Sequence, residues 1–191
     1  MNLLTVTNLS AGYAGKQVIK DISFFVAPKT IVGILGANGC GKTTLIKVIA
    51  NLLPHTGSCQ LDDTYLENAS PRQLALLCGY IPQKSGISID LTLLDVVLMG
   101  FNPKLSLLQS PTEQMKKEAF DALCSVGLGS RKDDNFQQLS EGQKQLCLLA
   151  RTFVLKRRLL LLDEPESALD FRLRYEMMGL LRTYVVKNNA A

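Results

Sequence analysis

The sequence predicts an α/β fold with a parallel core sheet, an antiparallel β subdomain at the N-terminus and an inserted helical subdomain. Three observations predict it. A glycine loop at residues 36–43 lies between an apolar run and a helical pattern, four leucines at 159–162 end in two acids, and apolar and polar residues alternate near the N-terminus. Alternation in Leu4-Thr5-Val6-Thr7 and again from Val18 to Val26 is the period of half-buried strands, and the stretch from Gly12 to Gly15 supplies the turn between them. Thr30-Ile31-Val32-Gly33-Ile34-Leu35 is a short β-branched run expected as a strand. After the loop, Leu45, Ile46, Val48, Ile49 and Leu52 recur at helical spacing. Residues 57–66 read as a further strand of the N-terminal sheet. Residues 84–138 are Leu-rich and helix-like, with breaks at Pro103, Pro111 and the Gly127/Gly129 pair, and from 139 onward come a helix, an apolar strand, a turn and a final helix. The whole chain, 1–191, reads as a single domain: residues 1–83 and 156–191 form the core with its β subdomain, and 84–155 the helical insertion.

Composition bounds the function classes. At 191 residues and 47% hydrophobic, the chain buries a core. No apolar stretch approaches a membrane span, and the start Met1-Asn2-Leu3-Leu4-Thr5 lacks the basic and long apolar regions of a secretory leader, so the expected location is cytoplasmic. Cys40, Cys59, Cys78, Cys124 and Cys147 are scattered singly, which suggests neither a zinc site nor a disulfide framework. The net charge of +4 comes without a long basic run or interleaved aromatics, so nucleic-acid binding is not expected. Lys156-Arg157-Arg158 reads as a solvated turn, and His55, the only histidine, as a surface residue.

Residues 36–43, Gly36-Ala37-Asn38-Gly39-Cys40-Gly41-Lys42-Thr43, fit the phosphate-loop pattern G-x-x-x-x-G-K-[ST]. Gly36, Gly39 and Gly41 permit the close backbone approach that turns successive amides toward an anion, and the following helix adds its positive end. Lys42 supplies a mobile charge to the β- and γ-phosphates, and the Thr43 hydroxyl suits Mg²⁺. A glycine-rich turn beside an unrelated lysine is the alternative, and the flanking strand and helix patterns argue against it.

Two later segments complete the constellation. Ser140 with Gln143 three residues on has the form of a capping box, with Leu146, Leu149, Ala150 and Phe153 continuing one helical face, so Ser140 heads a helix whose amides could meet an anion. Leu159-Leu160-Leu161-Leu162 fits a strand buried on both faces, whose carboxyl end delivers Asp163 and Glu164. Asp163 suits Mg²⁺ through water, and Glu164 suits the task of orienting and deprotonating an attacking water.

With these segments in order, the chain resembles the nucleotide-binding domain of ATP-binding cassette (ABC) transporters, a P-loop NTPase fold, from about residue 2 to the end. Gly36 to Thr43 matches the Walker A loop, Leu139 to Gln143 the signature sequence, and Leu159 to Glu164 the Walker B strand with its catalytic glutamate. Ser167-Ala168-Leu169-Asp170 matches the D-loop, Gln83 in Tyr80-Ile81-Pro82-Gln83 the Q-loop, and Tyr13 the aromatic that stacks on adenine. The resemblance implies ATP and Mg²⁺ as cofactors and Glu164, Gln83 and Lys42 as catalytic residues, with Thr43, Gln83 and Asp163 at the metal. It also implies a homodimer with ATP at the interface. Asn38, Gly39, Cys40, Gly41, Lys42, Thr43 and Thr44 of one protomer would face Ser140, Gly142 and Gln143 of the other. Transmembrane permease subunits are the implied partners, at the inner face of the cell membrane. Asn38-Gly39-Cys40-Gly41-Lys42, residues 92–100 and Leu169-Asp170-Phe171 resemble the branch importing iron-siderophore complexes, haem or cobalamin.

Two departures accompany the resemblance. Glu141 replaces the usual glycine of the signature, so its charge is expected to point away from the helix start. The family also carries one more core strand after the last helix, ending in a switch histidine, and the sequence reaches Ala191 without it. The expectation is therefore a chain truncated before that histidine, lacking the last core strand. A non-catalytic nucleotide-binding fragment is then the alternative function, and a soluble cassette protein acting on ribosomes or DNA stands last.

Overall fold

In the computed structural model, residues 2–83, 86–106, 108–167 and 169–191 are described. The described residues divide into two compact units, residues 1–80, 158–163 and 182–191, and residues 81–157 and 164–181.

The first unit is built on a four-stranded antiparallel sheet in the order β2-β1-β3-β4. β1 (Leu4–Tyr13) and β2 (Lys16–Val26) form a hairpin in which Leu4 faces Val26 and Tyr13 faces Lys16, as the alternation of the first stretch requires. β3 (His55–Leu61) pairs with the other edge of β1, and the short β4 (Thr64–Tyr65) closes the sheet. His55 begins β3 beside Ala11, with Nδ1 3.0 Å from the Leu53 carbonyl oxygen, so it is half-buried in a strand instead of lying on a surface turn. α1 (Lys42–Ile49) buries Leu45, Ile46, Val48 and Ile49 against Leu4, Val6 and Leu9 of β1, Cys59 and Leu61 of β3, and Leu159 and Leu161. Burying such side chains contributes about 1.5–3 kcal/mol each, which makes this contact the main support of the helix. Leu52 falls outside it: Asn51 turns left-handed at φ 54°, and Leu52 is exposed.

α2 (Pro71–Leu77) follows a Ser70 capping box with proline at its start, and leads directly into β5 (Cys78–Ile81). β5 pairs with β6 (Leu159–Leu162), of which Leu159, Leu160 and Leu161 are buried, as four consecutive leucines imply. The expected strand at residues 30–35 is not formed. No backbone ladder involves these residues among those described, and Ile31, Val32, Ile34 and Leu35 are exposed, Leu35 at 96%. A β-branched run has the propensity, but a strand exists only through hydrogen bonds to a neighbour. Pairing reaches only its threshold: the Lys29 amide donates to the Ala190 carbonyl, the Ala191 amide to Arg158, and the Leu160 amide to Ala191.

The second unit is helical. α3 (Leu93–Leu98) starts at a Thr92 capping box with Asp95, α4 (Glu113–Ser125) at Thr112, and α5 (Glu141–Phe153) at Ser140. The three pack on one another around Leu93, Val96, Val97, Phe101, Ala119, Leu123, Phe136 and Leu146 to Ala150. Lys156-Arg157-Arg158 is not a solvated turn. Arg157 is 7% exposed and donates to the carbonyls of Thr152 and Gly100, and Arg158 forms a bidentate pair with Asp62 at 2.9 and 3.0 Å. α6 (Phe171–Asn188) ends the chain's regular structure, and no described helix is long and apolar enough to cross a membrane.

Candidate functional site

The glycine loop and the end of β6 belong to the first unit and meet there. Gly41 caps α1 with φ 104°, and a Cβ on it would approach Ile19 Cγ2 to 2.9 Å, so both conformation and space select glycine. No side chain caps α1. Its first-turn amides therefore point into the loop unclaimed by a cap, unlike those of α5. Lys42 folds back over the loop: its Nζ donates to the carbonyls of Gly36 at 2.9 Å and Ala37 at 3.1 Å. An ammonium held by two neutral carbonyls in an exposed loop is readily taken over by an anion, because a charge-assisted bond is stronger than either. The Cys40 sulfur lies over Gly36, where an added Cβ would meet it at 2.6 Å, and the Cys40 amide donates to Ala37 at 3.3 Å. Asn38 and Gly39 are exposed, whereas Thr44 is buried in the first turn.

Thr43 Oγ1 donates to Asp163 Oδ1 at 2.8 Å, across 120 positions of sequence. Asp163 is 3% exposed, held at the end of β6 by the leucine strand. A hydroxyl and a buried carboxylate side by side make a hard oxygen pair, the donor chemistry that suits Mg²⁺ and not softer metals. Among the described residues no group of three or more His, Cys, Asp or Glu side chains offers a metal cage, so a cation at this pair would lean on ligand oxygens for its remaining coordination. Tyr80, on β5, feels the same charge. Its phenol is held above the ordinary tyrosine range by burial first, then by the Asp163 carboxylate and Tyr13. Tyr13 itself is half-exposed at the hairpin end.

The second unit carries the other half of the expected residues. Glu164 adopts φ 48°, a left-handed conformation that costs a non-glycine residue about 1 kcal/mol, and its carbonyl accepts from the Ser167 amide in a turn. Its carboxylate Oε2 accepts from Gln83 Nε2 at 2.7 Å. The sequence assigned both residues to one chemistry without indicating this direct bond. Gln145 was not singled out as a site residue. It is buried at 8% exposure, and its Nε2 donates to the Gln83 carbonyl at 3.3 Å. The signal available in sequence was a polar side chain on the face of α5 that its apolar neighbours bury.

At the start of α5 the capping box is complete: the Gln143 amide donates to Ser140 Oγ at 3.3 Å and the Ser140 amide to Gln143 Oε1 at 3.1 Å. Glu141 points outward and pairs with Lys144 at 2.7 Å, its side chain 71% exposed, which keeps its charge off the helix axis. In the D-loop match, Ser167 donates to the Glu164 carbonyl and Asp170 Oδ1 caps α6 by accepting from the Leu173 amide at 2.8 Å, while Ala168 lies outside the described residues.

The ABC transporter family profile matches residues 19–167, a span that contains the loop, the capped helix and the leucine strand with both acids. The "Probable iron chelatin transport ATP-binding protein" of Helicobacter pylori is 40% identical over 175 residues, covering 89% of this chain and 68% of its own length. The "Hemin import ATP-binding protein HmuV" of Bordetella parapertussis is 36% identical over 188 residues, covering 94% of this chain and 71% of its own. Among solved structures, cbiO1 from Clostridium perfringens, part of the ABC transporter complex cbiONQ, superposes with a TM-score of 0.84 at 25% identity, over 98% of this chain and 75% of that one. A P-loop α/β fold, the phosphate loop joined to its strand-end carboxylate, and relatives that are ATP-binding subunits lead to one conclusion: the chain belongs to the ABC transporter family, as an ATPase subunit.

Proposed function

We propose that this chain binds ATP with Mg²⁺ and hydrolyses it to energise import of an iron chelate, haem or cobalamin through membrane permease subunits. The observation that carries the reading is the 2.8 Å bond between Thr43 and Asp163, which supports a phosphate-and-metal role for the loop and the strand end together. Bound Mg²⁺ would supply charge neutralisation at the β- and γ-phosphate oxygens. The protein's own residues do the rest. Amides of residues 38–44 and the Lys42 ammonium hold the phosphates, Tyr13 stacks on adenine, Gln83 contacts the metal and the water, and Glu164 takes the water's proton. The names of the Helicobacter and Bordetella relatives support iron chelates or haem as cargo.

The reading extends to assembly. Two protomers sandwich ATP, Ser140, Gly142 and Gln143 of one meeting the γ-phosphate held by the other, with the dimer peripheral at the inner face of the membrane. The uncapped start of α1 behind the glycine loop, and the exposed Ser140 at the start of α5, support this arrangement. Glu164→Gln tests it: turnover is expected to fall by about 10²–10⁴, the usual worth of a general base. ATP binding should persist, and an ATP-dependent dimer should accumulate on a sizing column. A Glu164→Gln protein that hydrolyses ATP at the parent rate would end the assignment of Glu164 as base.

A further inference from the structure

We infer that Gln145 is a positioning residue for Glu164, acting through Gln83, so that the helix headed by Ser140 sets the aim of the general base. The inference rests on the reading of Glu164 given above and concerns residues of one compact unit. Along α5, Leu146, Cys147, Leu148, Leu149 and Ala150 are buried and apolar, and Gln145 is buried beside them. A primary amide in such surroundings persists only where it is hydrogen-bonded. Its bond goes to the backbone carbonyl of Gln83, whose own side chain in turn donates to Glu164 Oε2. Two successive hydrogen bonds thus run from the helix to the carboxylate.

The geometry gives this chain of bonds a direction. The carbonyl and the side chain of Gln83 branch from one Cα, so holding the carbonyl places the root of the side chain whose far end meets Glu164. Gln83 is otherwise exposed, and among the described residues Glu164 and Gln145 are the side chains that hold it. Glu164 is receptive to such control. Its backbone already sits at φ 48°, and its carboxylate accepts from the Gln83 amide. Gln145 lies five positions, about 7.5 Å of helix, from Ser140. A displacement of the first turns of α5 is therefore passed through a rigid helix to the Gln83 carbonyl, and from there to the orientation of the base.

The test is spectroscopic first. In the purified protein labelled with ¹⁵N-glutamine, the Gln83 side-chain amide is assigned by its loss in Gln83→Glu and displaced in Glu164→Ala. With Gln145→Leu the same amide is expected to move toward its Glu164→Ala position while the other glutamine signals hold. Gln145→Met, which keeps the side chain's length but has no donor, covers a leucine variant that fails to fold, and the same displacement is expected. A Gln83 amide unmoved in whichever of these variants folds overturns the proposal. In turnover, Gln145→Leu is expected to lower kcat roughly ten- to a hundredfold with KM unchanged, as a misaimed base would. Added to Gln83→Ala it should lower kcat no further; independent multiplicative losses would refute the relay. Should Glu164→Gln hydrolyse at the parent rate while the Gln83 amide still answers to Gln145, the relay stands and the general-base reading falls.

Discussion

Burial separates the five cysteines into two classes. Cys59, Cys78 and Cys147 are buried, Cys40 and Cys124 exposed. Burial pushes the Cys59 thiol up to about 12, with Glu67 adding to it, and the Cys147 thiol up to about 12 against the opposing pull of Arg151. Because the thiolate is the reactive form, a disulfide reagent at pH 8 is expected to titrate Cys40 and Cys124 promptly and the rest only on unfolding. Five equally fast thiols would contradict the burial. The sign of the linked stability follows from raised folded values. The contribution of Cys59 and Cys147 is complete below their ordinary value near 9 and is lost as pH rises from 9 toward 12. Denaturant melts at pH 8 and pH 10 should differ by about 1 kcal/mol for each of the two, an effect absent in Cys59→Ala and Cys147→Ala. Cys40 was legible as a loop residue from its motif, but Arg157 was misread because its partners, the Thr152 and Gly100 carbonyls, lie on other elements that composition does not reveal.

Elements whose determinants are local were legible, and those that need distant partners were not. A capping box joins residues three apart, so Ser140 with Gln143 could be read from spacing and is found closed. The hairpin of β1 and β2 likewise follows from alternation around one turn. Residues 30–35 carry an equally good strand pattern, yet pattern alone cannot supply the neighbour that a ladder needs, and none is present among the described residues. Ser140→Ala tests the local case. It leaves the Gln143 amide without its acceptor and should cost about 1 kcal/mol in equilibrium unfolding, with Ser140→Thr close to the parent. An unchanged midpoint for the alanine variant would mean that packing of Leu146 to Ala150 alone holds the helix start.

At the scale of the molecule, the site was legible as an ordered set of motifs and not as a geometry. Nothing in composition or periodicity brings Thr43 to Asp163 across 120 positions, or Gln83 to Glu164 across 81; those bonds depend on which elements the topology makes neighbours. The resemblance supplied that topology, and the fold has the leucine strand and the capped helix as read but not the strand at residues 30–35. The direct Gln83–Glu164 bond and the buried Gln145 lay beyond it, since motifs name residues and leave their partners open.

The bare run at residues 30–35 has a consequence for handling the protein in solution. Ile31, Val32, Ile34 and Leu35 stand exposed on backbone whose amides and carbonyls have no ladder partner among the described residues, which is a template for recruiting extended segments from other molecules. Light scattering should therefore climb steeply with concentration, and Leu35→Lys should suppress it, since a like-charged rim discourages intermolecular stacking; equal scattering from both proteins would place the sticky surface elsewhere.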